Sequence, residues 1–227
     1  MVYTAEELDA FLRSGALERI GMGSRRSCYL LPGNSGLCLK CYKSDAEIQE
    51  GKDPGKAESR PMAPAAVKEI RTCRFDQRRN TCCEEYRYWK NVIQNTPAEV
   101  KRIFPATMEM LKLPSRGWCL LEEFMLNDDG SAITKFLPAW QSAGEADRKR
   151  LVAALSELEE SFLRHSIRFF DPQTIMVQRS GGEPRLRIPD FEPSSRTLIP
   201  IDILHPVFIR IKTQRRFARY RKTWDIR

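Results

Sequence analysis

The chain has 227 residues, of which 41% are hydrophobic, enough to bury one substantial core or two smaller ones. It holds no run of about 18 apolar residues, and Met1 to Glu7 lacks the basic and apolar regions of a secretory signal, so a cytoplasmic location is expected. The formal net charge is +8; Phe208 to Arg227 carries eight cations against one acid, Asp225, which leaves the remainder nearly neutral. The seven cysteines are an odd number, and several fall inside apolar runs, the usage of a reduced compartment. Cys38 and Cys41 spell C-x-x-C, but residues three apart in a strand point to opposite faces and no second pair completes a zinc set, so ordinary strand packing is expected.

Thr4 to Glu7 has the spacing of a capping box, and Leu8, Phe11 and Leu12 follow at helical spacing. Leu17 to Ile20, Ser27 to Leu31 and Leu37 to Tyr42 read as strands, the last two joined by the turn formers of 32–36. Residues 45–66 contain three prolines, two glycines and many charges without periodicity, and predict a mobile insertion. A helical segment runs from about Val67 to Ile93 with a break near Asn80. Ile103 to Leu113 and Trp118 to Phe124 flank the turn 114–117 and predict a hairpin, the fourth and fifth strands. After the polar break at 127–131, Leu151, Ala154, Leu155, Leu158 and Phe162 form one helical stripe. Ile175 to Val177 and Leu186 to Ile188 make a second hairpin around Gly181 and Gly182.

Four features carry chemistry. Gly21, Gly23 and Ser24 lie between the first two strands, where glycines let a backbone approach a bulky anion closely; the G-x-G-x-x-G pattern is interrupted by Arg26, and a plain hairpin turn is the alternative. Lys40 stands alone in the apolar run 37–42, where a buried cation needs an anionic partner; an edge-strand lysine facing water is the plain alternative. Glu85 lies on the apolar stripe of Cys82, Trp89 and Val92, so it asks for a cation, and Lys40 is available; a half-exposed glutamate at the margin of the stripe is the alternative. Asp190 directly follows a strand and precedes Phe191, a position from which a carboxylate can hold a hard cation; a turn-forming Asp after Pro189 is the alternative.

Glycine turn, strand lysine, helical glutamate, hairpin, long helix, second hairpin and Asp-Phe follow one another as in the protein-kinase signature set. Together with the runs 20–29, 39–40, 85–89, 129–130, 172–175 and 197–200, this order resembles the YrbL family of PhoP regulatory network proteins, over roughly residues 18 to 215. These are short bacterial proteins with a kinase-like fold, distantly similar to lipopolysaccharide-core sugar kinases. The resemblance implies an α+β, two-lobed fold: residues 1–125 as an N-lobe with a five-stranded antiparallel sheet and one main helix, and residues 126–227 as a reduced, mostly helical C-lobe. It implies ATP and Mg²⁺ as cofactors, with Lys40 on the phosphates, Glu85 holding Lys40, Asp190 on Mg²⁺, and the segment Leu120 to Phe124, including Glu123, as the hinge facing adenine.

The catalytic loop departs from the kinase pattern in either register. Matching Pro172-Gln173-Thr174-Ile175 to that loop puts Phe169 at the catalytic Asp position and Thr174 at the metal-binding Asn; taking Asp171 as the base puts Met176 at the Asn position. Glu192 replaces the glycine expected after Asp190 and Phe191. Three functions remain open: a phosphotransferase to a small-molecule or glycolipid hydroxyl with Asp171 as base, a pseudokinase that senses nucleotide or scaffolds envelope-stress signalling without chemistry, or a basic binding module without nucleotide, for which the Lys40 set would be coincidence. Only 37 residues follow Asp190, too few for a peptide-substrate platform. The basic segment 208–227 fits a helix that docks its aromatic side and presents a solvated charged face, or one drawn to an anionic membrane surface or a phosphorylated glycolipid; no nucleic-acid fold accompanies it, so nucleic acid ranks last.

Overall fold

The computed structural model describes residues 3–33, 36–50, 62–168, 171–191 and 206–226. The fold is α+β: a five-stranded antiparallel sheet, a three-stranded sheet and eight α-helices among the described residues. Two compact units are present, one of residues 1–91 with 106–124, the other of 92–105 with 125–227.

In the first unit, helix α1 (Ala5–Ser14) begins at the expected box: the Thr4 hydroxyl accepts from the Glu7 amide at 3.2 Å, and the Glu7 carboxylate accepts from the Thr4 amide at 2.7 Å. Gly15, at φ 71°, ends it in the left-handed region that glycine adopts without penalty. Strands β1 (Glu18–Met22), β2 (Arg26–Leu30), β3 (Leu37–Tyr42), β4 (Met108–Leu113) and β5 (Gly117–Glu123) pair in the order β1-β2-β3-β5-β4, so β3 is the middle strand. Alternation along β3 then sorts its side chains. Leu39 and Cys41 join Leu8 and Leu12 of α1 in one core, while Tyr42 joins Ile70 and Cys73 on the other face.

That second face is covered by α3 (Pro64–Phe75) and α4 (Thr81–Asn91), which interrupt the expected long helix at the predicted place. Within 45–66 the structure differs from the expectation of a mobile insertion: Asp45–Gln49 is a helix, α2, and Pro64 already opens α3. The reason is a second capping box, in which Ser44 and Glu47 exchange bonds as Thr4 and Glu7 do. The remainder of that stretch, 51–61, lies outside the described residues. Gly117 opens β5 at φ 71°, and a Cβ there would stand 2.1 Å from the Arg74 carbonyl oxygen, so this glycine is dictated by packing.

In the second unit, α5 (Ala98–Lys101) is followed by strand β6 (Thr134–Lys135), α6 (Phe136–Ser142), α7 (Glu145–Arg164), strands β7 (Met176–Ser180) and β8 (Glu183–Arg187), and α8 (Pro206–Thr223). Strand order is β6-β7-β8, and Gly181 and Gly182, both at positive φ, make the tight turn between the last two. The α7 stripe buries Leu151, Leu155, Leu158 and Phe162. Phe162 stacks on Phe104 at 5.9 Å and meets Phe217 of α8 edge-on at 6.3 Å, while Phe191 meets Phe104 edge-on at 5.1 Å. No helix among the described residues is long and apolar enough to cross a membrane.

Candidate functional site

Lys40 lies on the middle strand, paired with Cys28 of β2 and Leu120 of β5, so it is no edge lysine. Its Nζ reaches two carboxylates, Glu122 Oε1 at 2.8 Å and Glu85 Oε1 at 3.3 Å. The second oxygen of Glu85 takes Arg26 Nη1 at 2.7 Å. Glu85 is fully buried, Glu122 is 1% exposed and Lys40 9%, so four charged groups share a low-dielectric site where each needs the others. The predicted Lys40–Glu85 pair is present, and Glu122 and Arg26 join it. Arg26 is the residue that breaks the glycine pattern; here it holds the other half of Glu85.

The local fold explains how Glu85 is aimed. Asn80, itself fully buried, caps α4: its Oδ1 accepts from the Cys82 amide at 2.9 Å and the Cys83 amide at 3.3 Å. Its amide nitrogen donates to the carbonyls of Cys73, Arg74 and Trp118 at 3.2–3.3 Å, tying the end of α3 and strand β5 to the start of α4. The Tyr42 hydroxyl, next on the same face of β3 as Lys40, bonds Thr81 at 3.2 Å. Glu85 follows one turn later, over β3.

Glu122 comes from β5, opposite Cys38, whose Sγ is 3.9 Å from Glu122 Oε1. Its Oε2 is buried without a hydrogen-bond partner. Burial pushes the Glu122 carboxyl well above its usual range; the Lys40 charge opposes that shift and the Glu85 charge adds to it.

Gly21 sits in β1 at a bulge, and Gly23 opens the β1–β2 turn with its amide bonded to the Arg26 carbonyl at 2.8 Å. Neither has positive φ, and a Cβ would meet nothing closer than 3.8 Å at Gly21 and 3.6 Å at Gly23. Both are exposed, as is Ser24, and among the described residues no close contact calls for glycine at either position. Glu123 accepts the Ala106 amide at 2.6 Å through its carboxylate. The Glu123 and Phe124 amides donate to the Thr107 and Gly36 carbonyls at 3.1 and 3.0 Å, so the expected hinge has these two donors already committed.

The second unit carries the other predicted residues. Asp171 is exposed and starts a single 3-10 turn, Pro172–Thr174, accepting the Gln173 amide at 2.9 Å. The Thr174 hydroxyl donates to the Asp171 carbonyl at 2.6 Å. Asp190 is half-buried just beyond β8, beside the buried Phe191. Phe169 and Glu192, on which the catalytic-loop departures turn, and 197–200 lie outside the described residues. Among the described residues no three acidic, His or Cys side chains converge into a metal cage. The second unit also has an open cleft of about 300 Å³ that includes Asn127, Ser142, Asp147 and Arg179. There Arg179 is already matched by Asp147 in a two-pronged pair at 2.7 and 2.5 Å, and no predicted site residue lines it.

No protein-family model matches the chain, and no curated protein matches it.

Proposed function

We propose that the chain is a nucleotide-binding protein of the protein-kinase type, taking ATP with Mg²⁺. The observation that carries this reading is Lys40 on the middle strand, held between Glu85 of α4 and Glu122 of β5. In a kinase-type site the strand lysine serves the α- and β-phosphates and the helical glutamate keeps it in place. Gly21 and Gly23 add support, since an outside ligand needing close backbone approach accounts for glycines that the fold itself does not require. Bound Mg²⁺ would neutralise phosphate oxygens, and Asp190 is the residue that would hold it. Phosphates and water would supply the other ligands, as is usual for this ion.

Phosphate transfer to a small-molecule or glycolipid hydroxyl, with Asp171 as base, is one form of the proposal. A pseudokinase is the second, and the 3-10 turn favours it. There the Asp171 carboxylate caps the Gln173 amide and the Thr174 hydroxyl is turned onto a carbonyl, so both groups serve the loop. A thermal-shift titration with ATP, with and without Mg²⁺, tests nucleotide binding. The expected result is a metal-dependent rise in Tm that is absent in Lys40→Ala and Asp190→Ala; no rise in the native protein would discard both forms. ATP hydrolysis by native protein that disappears in Asp171→Ala would select the enzyme, and no hydrolysis by either the pseudokinase.

A further inference from the structure

Helix α8 has two sides of different character. Its inner stripe is Thr213, Phe217 and Tyr220, all buried. The Thr213 hydroxyl donates to the Ile167 carbonyl at 3.2 Å, Phe217 packs on Phe162, and Tyr220 lies 6.0 Å from the Phe136 ring. Arg221 pairs with Glu159 at 3.3 Å, and Arg210 donates to the Ser166 hydroxyl at 3.2 Å. These contacts fix the rotation of the helix and so decide what points away from the unit.

The opposite side is Phe208, Ile211, Lys212, Arg215, Arg219 and Lys222, six residues on one face, each three or four positions from another of them. Phe208 is 56% exposed and Ile211 40%, and all four cations are exposed. None of these four has an acid within ion-pair distance among the described residues. A helix of this length runs for about 27 Å, with its apolar pair at the N-terminal end and cations over the following three turns.

We propose that this face of α8 docks, lying flat, on an anionic phospholipid bilayer surface. The cations complement lipid phosphates, and Phe208 and Ile211 enter the boundary between headgroups and acyl chains, which is the division of labour of an interfacial helix. Nucleic acid would also satisfy the cations, but a phosphate backbone gives Phe208 and Ile211 nothing apolar to enter. The proposal is independent of nucleotide binding.

The test is flotation of the full-length protein with vesicles of phosphatidylcholine alone and of phosphatidylcholine mixed with phosphatidylglycerol, at low and high salt. Binding is expected on the mixed vesicles only, weakening with salt. Each surface cation contributes about fivefold to partitioning, so K212Q/R215Q/R219Q/K222Q loses binding on the order of several hundredfold. F208S/I211S loses about tenfold and removes what binding survives high salt. All six positions are exposed, so both variants keep the native circular dichroism and Tm. Should the quadruple variant lose its fold, the apolar pair decides alone. Equal binding to neutral vesicles, unchanged binding in F208S/I211S, or binding to an oligonucleotide that outcompetes the vesicles would overturn the proposal.

Discussion

Lys40 Nζ stands closer to Glu122 than to Glu85, 2.8 against 3.3 Å, because Arg26 draws the other Glu85 oxygen to 2.7 Å. The two carboxylates therefore have different roles. Glu85 bridges two cations and is the structural anchor; Glu122 has one cation and one unpartnered oxygen. Glu85→Gln removes a buried partner from both Arg26 and Lys40 and should destabilise the protein by about 3–5 kcal/mol. Glu122→Gln keeps the side-chain volume and leaves Lys40 paired with Glu85, so it should cost less than Glu85→Gln and leave ATP binding in place. Urea unfolding of both variants, followed by ATP titration of Glu122→Gln, measures the contrast.

The raised Glu122 carboxyl predicts a pH dependence. Because its folded pKa lies above the unfolded one, the native state is favoured while Glu122 holds its proton and loses stability as pH rises above the ordinary carboxylate range. Unfolding free energy measured at about pH 5 and about pH 8 should show this loss in the native protein, and a smaller one in Glu122→Gln.

Glu47 predicts the reverse sign at acid pH. Burial would raise its carboxyl, but the Tyr29 hydroxyl, the Ser44 amide and the Arg116 charge outweigh burial and lower it from 4.5 to about 2. A depressed carboxylate stabilises fully above the unfolded pKa and ceases to do so as pH falls toward 2. Glu47→Gln should therefore remove up to about 3 kcal/mol at neutral pH and nothing at the acid limit, read from urea unfolding across that range.

Much of the first unit was legible because local signals agreed with burial. The Thr4 box, the break at Asn80 and the placement of Glu85 on the apolar stripe of α4 all follow from spacing that a single helix displays. Glu122 escaped because the hinge expected over Leu120 to Phe124 singled out Glu123; only the pairing of β5 with β3 turns Glu122 inward beside Lys40. Arg26 escaped for a similar reason. Its role depends on α4 lying across β2, a contact between residues 59 apart in the chain. Helix α2 was hidden by the prolines and glycines after it, although Ser44 and Glu47 repeat the signature of Thr4 and Glu7.

Asn80 links three elements through five hydrogen bonds, so Asn80→Ala should destabilise by about 3 kcal/mol, combining a lost cap with unsatisfied buried carbonyls. Asn80→Asp restores the cap acceptor alone and should recover only part of the loss. Chemical denaturation of the two variants checks the ordering.

The glycines separate packing from function. Gly117→Ala drives a Cβ into the Arg74 carbonyl and should destabilise by more than about 3 kcal/mol. Gly21→Ala and Gly23→Ala should each stay within about 1 kcal/mol of native stability, yet weaken ATP binding if that turn covers phosphate. Thermal melts paired with nucleotide titrations give both numbers from the same samples.

The most direct measurement is a calorimetric titration of native protein and Lys40→Met with ATP and Mg²⁺. A phosphate held by the β3 lysine predicts saturable binding that falls by about 10–150-fold in the variant, the range for one charge-assisted hydrogen bond. Equal affinity in the two proteins, with Lys40→Met still folded, would contradict the role given to Lys40.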